Sequence, residues 1–275
     1  MSYSKKECYE DCPRKFFYKY VKYLEEPYRM VPDNPLICGS AVDKGLEEAL
    51  TTGILSDGIL KANEYYTNIF TGMTEAHEWE LWKIEIAIEK LYDYYHEVGL
   101  ATIIEQQYEI NQEFVIESDN GDKQFLVIWR GYIDGLTHNT IVDNKYSSRP
   151  EAYRESQQLN VYSYLLNPNK DPSLMRNIGG YIVAVKSKLV RHKEKGSKPQ
   201  ESILDYQKRL RNAMSVQFIN CPPNLLEGEI VIDRGHDIIC EIYDKNGVAD
   251  QDVNHYAKTG AWCKNCTFLE LCGGK

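Results

Sequence analysis

The feature that most limits how this chain can fold is a change of period near Thr102. Before it, apolar residues recur at helical spacing. Gly39 to Leu50 sets Ala41, Val42, Leu46 and Ala49 on one side, and Lys61 to Phe70 and Glu78 to Val98 repeat the pattern. Trp79, Trp82, Tyr92, Tyr94 and Tyr95 read as core and half-buried surface. An earlier helix opens at the capping box Ser4-x-x-Glu7 and reaches toward Tyr23; Pro27 ends it, and Pro32 and Pro35 mark a loop. After Thr102, Ile103 to Ile116, Phe125 to Asp134 and Thr140 to Tyr146 carry β-branched and aromatic residues in strand-like runs. Asp119-Asn120-Gly121-Asp122 is a hairpin turn and Gly135 to Asn139 a second tight connection, so the three runs predict a meander. Glu151 to Leu166 returns to helical spacing and closes at Asn167-Pro168. Ile178 to Val185 predicts a short strand, Ser202 to Phe218 a helix, and Gly228 to Tyr243 one or two more strands. The order is helices, then a sheet with a crossover helix, then a tail.

That tail holds the next constraint. Cysteines stand at 8, 12, 38, 221, 240, 263, 266 and 272, three of them as Cys263-x-x-Cys266-x5-Cys272. A chain of 275 residues can build a core without covalent staples, so the cysteines need another explanation. A C-x-x-C step brings two thiolates to one metal, and a tetrahedral site or a cluster wants four. The fourth must come from far away. Cys12, beside Pro13, and Cys8, one turn earlier on the same helix face, are the alternatives. Cys38, Cys221 and Cys240 sit among apolar neighbours and read as small core residues. No apolar run follows Lys5 and Lys6, and no stretch approaches the ~18 residues of a membrane span, so neither a secretory leader nor a membrane anchor is expected. The expected compartment is the cytoplasm, of a bacterial cell or of a phage's host. A formal charge of −9 argues against a generic basic nucleic-acid coat protein but is silent on a local site.

The middle strands carry the chemistry. One ends Gly131-Tyr132-Ile133-Asp134-Gly135 and the next reads Ile141-Val142-Asp143-Asn144-Lys145. A short connection between them can bring the Asp134 and Asp143 carboxylates to one ion. Asp143 and Lys145 are two apart, so on a strand they leave the same face. Hard divalent ions take carboxylate, water and phosphate oxygens, and a lysine beside them positions the attacking water or stabilises charge on phosphorus. Gln158 and Tyr162, at i and i+4, share a face of the next helix. An Asp-x-Lys on a strand is more often a surface ion pair. Here the apolar Ile141-Val142 run marks a central strand, where charges are costly unless used.

Four patches then match a known pattern in order: Cys12-Pro13-Arg14-Lys15-Phe16-Phe17-Tyr18-Lys19-Tyr20; Gly131-Tyr132-Ile133-Asp134; Val142-Asp143-Asn144-Lys145 followed by Gln158-x-x-x-Tyr162; and Trp262-Cys263-x-x-Cys266-x5-Cys272. On these the sequence resembles the PD-(D/E)xK nuclease superfamily, and within it the RecB-like exonucleases with an iron–sulfur cluster. That group includes the AddB nuclease domain and the CRISPR-associated iron–sulfur exonucleases. The resemblance implies an α/β, restriction-endonuclease-like core: a mixed central sheet flanked by helices, its terminal segments joined by a metal cluster. It implies one nuclease domain over 1–275, mainly helical to 100, with the catalytic sheet and helices at 101–245 and a cysteine-rich clip at 246–275. Cys12 would join Cys263, Cys266 and Cys272 on a structural four-iron four-sulfur cluster, zinc being the alternative. Asp134 and Asp143 would bind Mg²⁺ or Mn²⁺, with the Asn144 carbonyl as a further ligand. Lys145 would be the catalytic lysine, supported by Gln158 and Tyr162. One departure stands out: where the pattern has Gly-x-x-x-His, this chain has Gly39-Ser40-Ala41-Val42-Asp43. Aspartate also ligates Mg²⁺ or Mn²⁺, with Glu47 as a fallback one turn on.

The expected activity is thus metal-dependent hydrolysis of DNA phosphodiesters by an exonuclease, through a metal-activated water. The alternative is a catalytically silent nucleic-acid-binding protein with a structural zinc or iron–sulfur site. A redox carrier is disfavoured, because a lone cluster leaves the carboxylate–lysine strand unexplained. DNA, single- or double-stranded, is the expected partner, within recombination or replication. Between Lys186 and Arg211, nine bases stand against three acids, a local charge of +6; either Lys186, Lys188, Arg191 and Lys193 contact phosphates, as expected of a DNA site, or the stretch is a solvated loop. Arg14 and Lys15, with Phe16, Phe17 and Tyr18, either add contacts to a single strand or pack beside the cluster.

Overall fold

The computed structural model describes residues 1–26, 30–102, 104–118, 121–192, 200–252, 256, 263 and 266–272. Helix α1 (Tyr3–Asp11) is capped by Ser2, whose hydroxyl accepts from Lys5 N; Ser4, expected as the cap, lies inside the helix. The helix expected to run on toward Tyr23 breaks at Cys12, which is extended at φ −157°. Pro13 forces this: it has no N–H to give, and it pushes the residue before it out of the helical region. Pro13 opens α2 (Pro13–Phe16), which widens into a π-helical turn, Phe17–Val21.

Three long helices follow. In α3 (Pro35–Thr52), Pro35 is the first helical residue rather than part of a loop, because Asn34 Oδ1 accepts from Leu36 N at 2.9 Å and caps the start. Gly53, left-handed at φ 71°, ends it. α4 (Leu55–Ile69) crosses α3 at two glycines: a Cβ on Gly58 would lie 2.2 Å from the Gly45 carbonyl oxygen. α5 (Glu75–Glu97) starts from a Thr74–His77 capping pair.

A single sheet runs β1 (Glu105–Glu117), β2 (Gln124–Leu136), β3 (Thr140–Ser147), β4 (Ile178–Val185) and β5 (Ser215–Asn220), in that spatial order. All neighbours are antiparallel except β3 and β4, which are parallel. Of the turn expected at 119–122, Asp119 and Asn120 lie outside the described residues; Gly121 N donates to Ser118 O at 2.8 Å.

The parallel step is bridged by a 3₁₀ turn (Pro150–Glu155) and α6 (Gln158–Leu166). The helix expected over 151–166 is split there. Gln157 N donates to the Tyr3 hydroxyl and Gln158 N to Ser156 Oγ, so side chains take up the donors a continuous helix would use.

Two further expectations are corrected. The helix expected over 202–218 is α7 (Ile203–Ala213); the chain then turns at Met214 and pairs β5 against β4. The strands expected over 228–243 are one helix, α8 (Leu225–Ile242), capped by Asn224. Its buried residues are Gly228, Val231, Ile232, Gly235, Ile238 and Ile242, a step of three or four each time the helix turns inward. β-branched composition hid that period.

The sheet is the middle of three layers. α3, α4, α5 and α7 pack on one face, with Leu46, Ile88 and Tyr206 against Val142 and Ile182. α6 and α8 cover the other, with Leu159 and Ile232 against Trp129, Ile133, Ile141 and Val183. A Cβ on Gly235 would meet the Trp129 ring at 2.3 Å, so α8 sits directly on that tryptophan. A third cluster, Phe16, Phe17, Ile238, Ile242 and Tyr256, ties the N-terminal segment to the far end of the chain. There, Tyr18 OH donates to Leu271 O at 3.0 Å and Thr267 Oγ1 to Glu26 at 3.0 Å. No helix among the described residues is long and apolar enough to cross a membrane.

Candidate active site

The β2–β3 ladder is short. Leu136 pairs with Ile141 and Gly135 with Val142, and there it ends. One more step would set Asp134 opposite Asp143. The alternation of β2 resets at this point: Ile133 packs with α6 and α8, whereas Gly135 faces Ile104 and Val142 on the other side. Across β2, Gln107 takes a left-handed φ of 50° and its place in the β1–β2 register goes unpaired. The freed groups find other partners. Asp134 Oδ2 accepts from Asn144 N at 2.7 Å, and Oδ1 accepts from Gln107 Nε2 at 3.2 Å. Further along the open edge of β2, the Met1 amino group donates to Ile128 O at 2.6 Å, and Arg130 N donates to Met1 O at 3.0 Å.

Strand β3 supplies the rest. Asp143 is buried, 2% exposed. Its Oδ2 is ion-paired with Lys145, and its Oδ1 accepts from Gln158 Nε2 at 3.2 Å. The same Gln158 nitrogen lies 2.9 Å from the Tyr162 hydroxyl. The Tyr162 ring is seated on β2: a Cβ on Gly131 would meet Cε1 at 2.6 Å. Glycine at 131 therefore holds α6 close enough for Gln158 to reach Asp143. Asn144 points to the opposite layer, where Tyr95 OH donates to its Oδ1 at 2.9 Å. Lys145 keeps about a quarter of its side chain in solvent, 26%.

Burial pushes the Asp43 carboxyl on α3 up to about 7; Lys145 opposes the rise, while Asp143 and Glu47 add to it. Asp134 is driven well above the ordinary carboxylate range, first by burial and then by Asp143 and Asp43. Burial alone would lower Lys145, but Asp143 and Asp134 hold it firmly charged. Three carboxyls thus feel one another's fields around a single ammonium. Among the described residues no group of three or more His, Cys, Asp or Glu side chains is placed to hold a metal ion by itself. The donors are hard oxygens short of positive charge, which suits a divalent cation such as Mg²⁺ or Mn²⁺.

The other expected residues lie as follows. Arg14 Nη1 donates to Cys272 O at 3.5 Å, and Lys15 pairs with Glu26 at 2.8 Å. Lys186 pairs with Glu80, a buried acid (2% exposed) that also meets Lys83 at 3.2 Å and accepts from Tyr146 OH at 3.3 Å. Arg191 Nε donates to Glu201 O at 2.7 Å. Lys188 is exposed, and Lys193 lies outside the described residues. Cys12, Cys263, Cys266 and Cys272 are each half-buried. Burial and the neighbouring Cys266 and Cys12 thiols raise the Cys272 thiol, with Arg14 opposing. Burial lifts the Cys8 thiol to about 11; Lys15 and Lys19 oppose the rise, while Glu26 and Cys12 add to it. Trp262 lies outside the described residues. Gln107 and Glu80 carry no signal in the sequence, and Tyr95 reads there only as core; their partners lie 27, 66 and 49 residues away, beyond any local pattern.

A comparison with curated proteins finds no match. The family model described as the PD-(D/E)XK nuclease superfamily matches residues 1–273, taking in the Asp134, Asp143 and Lys145 strands, the Gln158–Tyr162 helix and both cysteine-bearing ends. With that match laid over a five-stranded mixed sheet between helical layers, the chain belongs to the PD-(D/E)XK nuclease superfamily.

Proposed function

We propose that the protein is a metal-dependent deoxyribonuclease that works as an exonuclease. The observation that carries the reading is the pair of β2 and β3 carboxylates at the parting of the strands, with Lys145 beside them and partly open to solvent. Asp134 and Asp143 would hold the cation, with Asp43 and the Asn144 carbonyl completing the oxygen set. When bound, the cation supplies Lewis-acid polarisation and offsets charge on the phosphoryl oxygens. Lys145 presents its ammonium to the phosphate and stabilises the negative charge that develops there. Gln158 fixes Asp143 through Oδ1, which leaves Oδ2 turned toward Lys145. Tyr162 braces Gln158 from its seat on Gly131.

The deciding assay uses end-labelled single- and double-stranded DNA with Mg²⁺ or Mn²⁺. Shortening from an end supports the exonuclease mode, and Lys145→Ala should abolish cleavage while the protein stays folded. Full activity in that variant would sink the assignment. DNA binding without any cleavage would support the silent-binder alternative, which the aspartate at 43 in place of histidine favours.

The cysteine reading also belongs here. Cys12, Cys263, Cys266 and Cys272 would hold a four-iron four-sulfur cluster that clips the tail to the N-terminal segment. It is supported by the mutual fields of Cys12, Cys266 and Cys272 and by the tail's hydrogen bonds to Arg14 and Tyr18. Thiolates suit iron or zinc. Brown protein with broad visible absorption and bound iron supports the cluster; colourless protein with zinc refutes it.

A further inference from the structure

The cations that the sequence marks for nucleic acid are largely engaged within the fold: Arg14 by the Cys272 carbonyl, Lys15 by Glu26, Lys186 by Glu80 and Arg191 by Glu201. Among the described cations outside those contacts, two stand close together near the carboxylate-bearing strand. Arg130 is exposed on β2, and Lys5 stands in the first turn of α1. The two elements are locked together, because Arg130 N donates to Met1 O at 3.0 Å and the Met1 amino group donates to Ile128 O. Lys5 Nζ lies over the Tyr20 ring, 5.2 Å from its centre. Burial and the Arg130 charge both lower the Lys5 pKa, as expected of two cations held together. Like charges so placed repel, and a bound anion would relieve them.

Tyr132 adds a second kind of contact. It is two residues from Arg130 on the strand, so both side chains leave the same face, and it is 55% exposed. Across the ladder Glu109 faces Tyr132, with its Oε1 accepting from Asn111 at 3.0 Å. From Arg130 to Asp134 is four residues, about 13 Å of strand, a span that a few nucleotides cover. Two cations for phosphate and one open ring for a base make the combination that holds single-stranded nucleic acid without regard to sequence. We propose that Lys5, Arg130 and Tyr132 form a subsite that grips single-stranded DNA on β2, beside the carboxylate–lysine site. The proposal rests on the nuclease reading above.

The test is fluorescence anisotropy of a labelled oligodeoxythymidylate with the full-length Lys145→Ala chain, at several salt concentrations. Lys5→Glu and Arg130→Glu should each weaken binding at least roughly ten-fold and flatten the log–log salt dependence by about one unit. Tyr132→Ala should weaken binding roughly ten-fold with the salt slope unchanged. Melting curves check folding, and Lys5→Gln with Arg130→Gln replace any reversal that fails to fold, with the same direction expected. Wild-type affinity and slope in folded variants would overturn the proposal, and so would an equal loss on blunt duplex DNA. A wild-type chain that neither binds nor cuts DNA would instead defeat the nuclease reading. A chain that cuts DNA and is indifferent to residues 5, 130 and 132 defeats this subsite alone.

Discussion

Replacing Gly131 with alanine tests whether the Tyr162 ring is seated on the backbone of β2. The new Cβ would lie 2.6 Å from Tyr162 Cε1 and 3.3 Å from Cδ1 and Cζ. Ordinary carbon contacts begin at 3.4 Å, so the ring has to retreat by roughly 0.8 Å. It has little room, being 7% exposed. Overpacking of this kind costs about 1–3 kcal/mol. In a chain of this size each kcal/mol lowers Tm by roughly 2–4 °C, so a fall of roughly 2–12 °C is expected. The chemical effect should be larger than the stability effect. The Tyr162 hydroxyl lies 2.9 Å from Gln158 Nε2, and that nitrogen lies 3.2 Å from Asp143 Oδ1. A shift near 1 Å in a group that orients a reacting site lowers turnover roughly 10–100-fold. Calorimetry and DNA-cleavage kinetics on Gly131→Ala give both quantities.

The control is a double-mutant cycle. Tyr162→Val removes the ring, so alanine at 131 should then cost less than about 0.5 kcal/mol. Tyr162→Phe keeps the ring and loses the hydroxyl; turnover should fall while stability changes by about 1 kcal/mol or less. An alanine at 131 that costs as much beside valine as beside tyrosine would show that the ring is not the obstacle. A destabilised Gly131→Ala protein with undiminished kcat would break the argued path from ring to Asp143.

Gly58→Ala sets a Cβ 2.2 Å from the Gly45 carbonyl oxygen, part of a helix backbone that cannot step aside, and should cost about 3 kcal/mol or more in urea unfolding. Burial holds His236 down at about 4, and its Nε2 accepts from the Trp129 indole at 3.1 Å. The stabilisation from this neutral histidine is present above its free value of 6.5 and is lost as pH falls toward about 4. His236→Gln should flatten that part of the Tm–pH curve; an unchanged curve would acquit the residue. Asp43→Asn removes one of three mutually repelling carboxyls, so it should raise the Tm of metal-free protein and shrink the further rise caused by Mn²⁺. Equal Mn²⁺ shifts in both proteins would place Asp43 outside the cation site.

The central strands were legible because their patterns are local. β4 matches its expected span, and β1, β2 and β3 fall within a few residues of theirs, each bounded by turn residues. The Gln158–Tyr162 face was legible for the same reason, since i and i+4 on a helix must meet. What escaped is set by tertiary contact. α8 looked like strands because Val231, Ile232, Ile238 and Ile239 are β-branched, and only contact with Trp129 and Asn160 shows why glycines recur at 228 and 235. β5 was absorbed into a helix because its pairing partner β4 lies about thirty residues back. Counting bases between Lys186 and Arg211 said nothing of Glu80, a buried acid on α5 that takes up Lys186.

The site owes its place to a fault in the sheet rather than to an added loop. Carried one step further, the β2–β3 ladder would set two carboxylates directly opposite one another, an arrangement that repels. The ladder stops instead. Stopping it leaves backbone donors and acceptors that must be satisfied. The Asp134 carboxylate takes the Asn144 N–H, Gln107 turns left-handed and reaches the same carboxylate, and Met1 fills the open edge of β2. Each repair uses a residue remote in sequence, and together they hold Asp134 and Asp143 near each other without letting them pair. Burial first, and the neighbouring carboxyls after it, keep Asp134 and Asp43 raised above the ordinary carboxylate range. On the proposed function, a divalent cation held there would neutralise charge gathered where the two strands part, so the break in the sheet would also serve the proposed cation site.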